Sequence, residues 1–212
     1  MNFENVSACV GKLYTAALLQ IISGVFIILA AIFGSAAIAS GVTALLSGSV
    51  VSAAGTAFSG ILAALLGIAI FVISIIVIIL QLTGLHKASG EDPMFRYAFI
   101  ASIAGLALSF LYSIISIIPG LEFFTAVLNF VISACSSAVL ICSVLGIRNA
   151  AQTDGRTVGT SLAAPIIVIQ CIVFVLTRIG QYITVFSLIG SVLSLVVYII
   201  YFVFLTRAKN NI

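Results

Sequence analysis

Long stretches without a single charged residue limit what this chain can become. Leu13–Phe33, Ile61–Leu82, Phe123–Leu145 and Tyr182–Phe204 contain no Asp, Glu, Lys or Arg, and Phe95–Ile118 carries only Arg96 at its edge. A sixth run, Thr157–Leu176, is weaker and holds Pro165. About 20 apolar residues suffice to cross the hydrocarbon of a bilayer as a helix. A helix is also the simplest way to satisfy every backbone N–H and C=O where no water is present. A proline within such a span kinks the helix rather than ending it, because neighbouring helices re-satisfy the freed carbonyl.

Charged residues make up 6% of the chain and apolar ones 63%, against roughly 25% charged in a soluble domain. Such a surface suits lipid. The expectation is an all-α fold, a polytopic transmembrane helix bundle of six spans. It forms one integral membrane domain over 1–212, with no room for a separate soluble domain.

Basic residues set the orientation. With the spans numbered and the loops assigned alternately, one side receives Lys12, Lys87, Arg96, Arg148, Arg156, Arg207 and Lys209, and the other receives Arg178 alone. By the positive-inside rule the protein is a multi-pass protein of the cell membrane with cytoplasmic N- and C-termini. Tyr14, Tyr97, Tyr198 and Tyr201 on that side, and Phe123, Phe124 and Tyr182 on the other, read as interfacial belts. In the connections, Ser89–Pro93 puts Asp92 as N-cap before a proline at the first helical position. Pro119-Gly120 and Gly180 separate later spans.

An internal repeat joins these elements. Span two exits through Gly84-Leu85-His86-Lys87-Ala88 with Asp92 four residues later, and span four through Gly146-Ile147-Arg148-Asn149-Ala150 with Asp154. The common pattern is G-[LI]-x-x-A-x-x-x-D. Span six exits through Leu205-Thr206-Arg207-Ala208, which keeps the apolar residue and the alanine. Offsets of 62 and 58 residues match one helical hairpin, so three tandem hairpins are expected: 5–88, 93–150 and 157–209.

The first hairpin carries an uncharged Gly/Ala/Ser-rich insertion, 34–60, with glycines at 34, 41, 48 and 55. A period of seven leaves a bare stripe on one helix face. Helical extensions, a re-entrant segment and a flexible loop are the open readings. Ala37-Ile38-Ala39 also resembles a signal-peptidase site, but the run before it is longer than a cleaved signal needs, which favours an uncleaved first span.

Within the spans, small and polar residues fall in stripes. These are Gly60, Ala64, Gly67, Ser74 and Gln81 in span two; Ala98, Ala101, Ser102, Gly105, Ser109, Tyr112, Ser113 and Ser116 in span three; Asn129, Ser133, Ser136 and Ser143 in span four; and Ser187, Ser191, Ser194, Tyr198 and Tyr201 in span six. Lipid favours the Leu/Ile/Val/Phe faces, so the stripes are expected to point into the bundle. The helix-packing positions singled out are Gly41, Gly48, Gly67, Gly105 and Gly190. A polar pocket would draw on Tyr112, Asn129, Gln170 and Gln20. An amide in hydrocarbon must find a partner, so each of these amides is expected to bond another helix even with no ligand present.

Several chemistries are absent from the pattern. No ionisable residue lies deep in a span, which disfavours a proton-driven pump. His86 is the only histidine and is expected in a loop. Cys9, Cys135, Cys142 and Cys171 form no CxxC pair and read as reduced packing residues. GxSxG, HExxH, GxxxxGK[ST] and GxGxxG are all missing. Arg178 reads as a snorkelling anchor or as a holder of an anionic lipid.

No enzyme, cofactor or nucleic-acid partner is expected. Membrane lipids are, and so is either a homo-oligomer or a partner membrane subunit. The leading functional reading is a small non-enzymatic subunit or oligomer acting through helix packing. The alternative is a permease or substrate-capture subunit for a small neutral or amphipathic molecule. In outline, though in no motif, the chain resembles the six-span capture subunits of energy-coupling-factor vitamin transporters.

Overall fold

The structure, a computed structural model, describes residues 3–47, 50–153, 160–179 and 184–211, with side chains for 3–30, 60–153, 161–179, 189–190 and 192–210. The described residues form six helices and no strand. They are α1 (Phe3–Ser47), α2 (Val50–Ala88), α3 (Pro93–Ile115), α4 (Glu122–Thr153), α5 (Thr160–Ile179) and α6 (Thr184–Asn211). Each contains a stretch long and apolar enough to cross a membrane: Phe3–Ala30, Gly60–Ala88, Pro93–Ile115, Glu122–Thr153, Ser161–Ile179 and Val192–Asn210.

Local chemistry explains the helix ends. Asp92 caps α3, its Oδ1 accepting from the Met94 N–H at 2.7 Å, with Pro93 in the first turn. The proline lacks the N–H that would be orphaned there. Gly120 takes a φ of +89° in the turn before α4, a left-handed conformation that only glycine adopts without strain. Pro165 lies inside α5 without ending it. His86, expected in a loop, instead sits in the last turn of α2 with Lys87, and Arg148 lies within α4. The helix dipole favours cations at a C-terminus, and Leu, Lys and Ala are good helix formers, so these exits stay helical.

The chain divides into two compact units, Leu18–Ile78 and Met1–Ala17 with Ile79–Ile212. In the larger unit α3 packs along α4, α4 against α5, and α5 against α6. Its core gathers Val6, Cys9 and Leu13 from the start of α1, Leu85 and Ala88 from the end of α2, and Phe95 and Ala98 from the start of α3. Val144, Ile147 and Ala150 of α4, Ile166 of α5, and Phe204, Leu205 and Ala208 of α6 join them, and Val139, Val173 and Val197 extend the cluster along the helices. Most of the fully buried residues lie toward one end of the unit. Toward the other end the α3–α4 pair exposes Phe110, Ile117 and Phe123, a surface that lipid tails cover as well as protein would.

Glycines allow the closest approaches. A Cβ at Gly146 would come within 3.0 Å of the Phe95 ring, and one at Gly84 within 3.2 Å of Lys12 Cβ and 3.5 Å of the Cys9 carbonyl oxygen. In the smaller unit, α2 exposes Ile61, Leu65, Ile68 and Phe71, along with Ala64, Gly67 and Ser74. The span-two stripe was expected to point inward. At these three positions the described side chains of its own unit leave it uncovered.

Gly146→Leu should destabilise the fold by about 1–3 kcal/mol through overpacking against Phe95. Gly146→Leu with Phe95→Ala should recover part of that loss. Reversible unfolding in mixed micelles with increasing SDS measures both, and no loss in the single variant would contradict the packing described.

Candidate functional site

The polar groups of the spans are mostly satisfied at home. Ser109 donates to the Gly105 carbonyl, Ser113 to Ser109, Ser116 to Ser113, Ser136 to Ile132, Ser143 to Val139 and Ser74 to Ile70, at 2.6–3.1 Å. Thr177 and Thr206 do the same with Val173 and Phe202. A hydroxyl bonded to the carbonyl one turn back is neutral toward its surroundings. A stripe of such residues is therefore a thin, closely packable surface rather than a row of open donors. Ser102 differs: its Oγ is shielded and has no partner.

Bonds between helices concentrate on the α4–α5 seam. Gln170 Nε2 donates to Ser137 Oγ at 3.0 Å. Eight residues further along α5, roughly 12 Å at the helical rise, one terminal nitrogen of Arg178 donates to the Asn129 carbonyl at 2.9 Å. The two rungs share one antiparallel register. The Arg178 guanidinium lies 5.5 Å from the Phe130 ring centre and 5.7 Å from that of Phe174, and the two rings meet each other edge to face at 5.4 Å. Arg178 therefore does not snorkel past the end of α5. It folds back along the helix, because Cα–Cβ bonds tilt toward the helix N-terminus. Its Nε and other terminal nitrogen are shielded from solvent and have no acceptor among the described residues.

Of the pocket residues named from sequence, Gln170 and Asn129 both lie on the α4–α5 seam, one at each rung. Gln170 has found a partner, as expected of a membrane amide, but on Ser137, which lies outside the stripe read for span four. Asn129 takes part through its backbone carbonyl. Tyr112 is half-buried on α3. Gln20 is half-buried in the Leu18–Ile78 unit. Of the packing glycines, Gly105 faces Cys135 Cβ at 3.3 Å and Gly190 faces Thr177 Cγ2 at 3.1 Å, so both are close-approach points, between α3 and α4 and between α5 and α6. Gly67 meets nothing within 4 Å among the described residues. Gly48 and the surroundings of Gly41 lie outside the described residues.

Sequence reading missed the partners at the end of the larger unit that holds its core. Asn5 Nδ2 donates to Glu91 Oε1 at 2.8 Å and Asn149 Nδ2 to Asp92 Oδ2 at 3.3 Å, tying α1 and α4 to the α2–α3 connection. Tyr14 stacks on Phe202 at 4.7 Å and carries Lys209 over its face at 4.8 Å. His86 tilts against Phe99 at 5.2 Å. Only the shared polarity of these end segments could have hinted at such pairs. The four cysteines are free.

Neither family models, curated proteins nor solved structures provide a match to this chain. What the arrangement offers chemically is binding: helix seams, and one guanidinium held between aromatic rings. Gln170→Leu and Ser137→Ala should each lower stability by about 1 kcal/mol, with a coupling near 0.6 kcal/mol in the double variant. Strict additivity in SDS unfolding would show that the bond contributes nothing.

Proposed function

We propose that this is a small, non-enzymatic multi-pass membrane protein that works as a subunit or homo-oligomer, joined to its partner through α2. The observation that carries this reading is the small-residue stripe Ala64, Gly67 and Ser74, which the described side chains of its own unit leave uncovered, with nothing described within 4 Å of a Cβ at Gly67. Helices associate in lipid where small residues let backbones approach, because apolar burial gives no advantage over lipid tails. A stripe left uncovered by the described side chains of its own unit can receive a helix of another chain. The hydroxyl of Ser74 is bonded within α2, so the stripe presents no unpaired donor to that partner.

Within this reading the fold is three tandem hairpins, with 34–60 inserted in the first as extensions of α1 and α2. Support comes from burial at the repeat offsets. Leu85, Ile147 and Leu205, and Ala88, Ala150 and Ala208, are each 0% exposed. The same offsets relate Val77, Val139 and Val197, all buried. The seven-to-one division of basic residues supports cytoplasmic termini in the cell membrane.

A second reading is a permease or capture subunit for a small neutral or amphipathic molecule, using Tyr112, Asn129, Gln170 and Gln20. The shielded, unpartnered Ser102 Oγ favours it, while the Gln170–Ser137 bond uses up one of its amides.

Gly67→Leu tests the first reading. A Cβ there meets nothing within 4 Å among the described residues, and leucine raises helix propensity by about 1 kcal/mol, so the fold should survive. Self-association, or co-purification with a membrane partner, should weaken at least tenfold, as read by cross-linking in native membranes and native mass spectrometry. A wild-type protein that stays monomeric and partnerless there would overturn the reading. For orientation, alkaline phosphatase fused after Lys209 should be inactive and a fusion within 116–121 active, and the reverse pattern would invert the topology.

A further inference from the structure

We propose that Arg178 is an anion-binding site at the α4–α5 seam, taking the phosphate of an acidic lipid headgroup from the leaflet at which α5 ends. The geometry is that of a half-completed site. One terminal nitrogen is used by the Asn129 carbonyl at 2.9 Å. Two aromatic faces, Phe130 and Phe174, flank the cation. Nε and the second terminal nitrogen, which between them carry most of the guanidinium's N–H donors, are screened from solvent and have no acceptor among the described residues.

Shielded polar groups in folded proteins are nearly always bonded, and an unmet charged donor is the most expensive kind to leave. No carboxylate among the described residues pairs with Arg178. The chain has only five acidic residues, and the one nearest in α4, Glu122, is exposed at the helix start, seven residues before Asn129. That is about 10 Å along the helix. Among the described residues, then, nothing supplies the counter-charge, and an anion from outside the chain can.

In a bilayer the abundant anion is a lipid phosphate, and a guanidinium recognises phosphate through paired N–H donors in a way a point charge does not. Burial against aromatic rings strengthens the attraction by removing competing water. Phe130, which is 49% exposed, forms the outer wall of the site, and an approaching headgroup would pass beside it. The site is independent of the partner reading above and of which leaflet α5 ends in. It needs only that the α4 and α5 spans cross lipid.

The test places the full-length protein in nanodiscs of phosphatidylcholine alone or mixed with phosphatidylglycerol, and counts retained lipids by native mass spectrometry. The wild type should retain phosphatidylglycerol over phosphatidylcholine at least threefold more strongly than Arg178→Gln. Arg178→Lys should fall between, keeping the charge but losing the fork. Lys87→Gln, at the far end of α2, should match the wild type.

Inorganic phosphate is titrated into phosphatidylcholine nanodiscs as a separate arm. Stabilisation there equal to that by phosphatidylglycerol would assign the site to free anions rather than lipid. A phosphatidylglycerol with a photoreactive headgroup, cross-linked to the unsubstituted protein, covers the case in which variants fail to fold. Adducts should map to 122–130 or 174–179. Adducts confined to other segments, equal lipid retention in wild type and Arg178→Gln, or no response to either anion would each overturn the proposal.

Discussion

Lipid tails are as apolar as leucine, so two helices in a bilayer gain little by hiding leucines from their surroundings. What holds them is how closely their backbones approach and whether every polar atom has a partner. Both conditions are visible at the same places. Gly146 lies under the Phe95 ring, Gly84 beside the Cys9 backbone, Gly105 against Cys135 and Gly190 against Thr177. Between these points the serines and threonines have turned their hydroxyls to the preceding turn of their own helix. Small side chains set the distance, and back-bonding makes the polar ones tolerable at that distance.

The core is correspondingly uneven. Full burial falls at one end of the larger unit, where Phe95, Phe204, Leu85, Ile147 and Leu205 meet. That end also holds the Asn5–Glu91 and Asp92–Asn149 bonds. A connection that caps α3 with one Asp92 oxygen and receives Asn149 on the other fixes two helices with one carboxylate. Toward the opposite end, Phe110, Ile117 and Phe123 face outward and the seam bonds thin to the two rungs of α4 and α5. A bundle built this way is firmest where its basic residues cluster and most open to lipid where Arg178 lies.

The parts of this fold legible in the sequence are those dictated by the solvent. Charge-free runs located the helices, the Asp92-Pro93 pair located a helix start, and Pro119-Gly120 located a turn. Helix ends were less legible, because His86, Lys87 and Arg148 look like loop residues until the helix dipole and the good helix formers around them are weighed. Side-chain direction was the hardest. Ser74 and Gly67 belong to a small-residue stripe like that of α3, yet the described side chains of their own unit leave them exposed, because burial depends on which other helix arrives. Ser137 was overlooked for the same reason: nothing in its own helix distinguishes it from Ser136, and only Gln170 of α5 selects it.

Arg178 shows how a local rule can override a statistical one. Interfacial arginines commonly reach for headgroups beyond the helix end. In α5 the chain runs toward the nearer surface, so the built-in tilt of Cα–Cβ bonds sends this side chain back toward the interior. An arginine on a helix running the other way would have the tilt and the snorkelling tendency in agreement. Here they conflict, and the rings of Phe130 and Phe174 with the Asn129 carbonyl decide the outcome in favour of the interior. The consequence is a cation drawn inward from the headgroup level and only partly satisfied by protein. Its remaining donors can be met by an anion that comes to it, which makes the loneliest basic residue in the sequence the one with the strongest physical reason to hold a ligand.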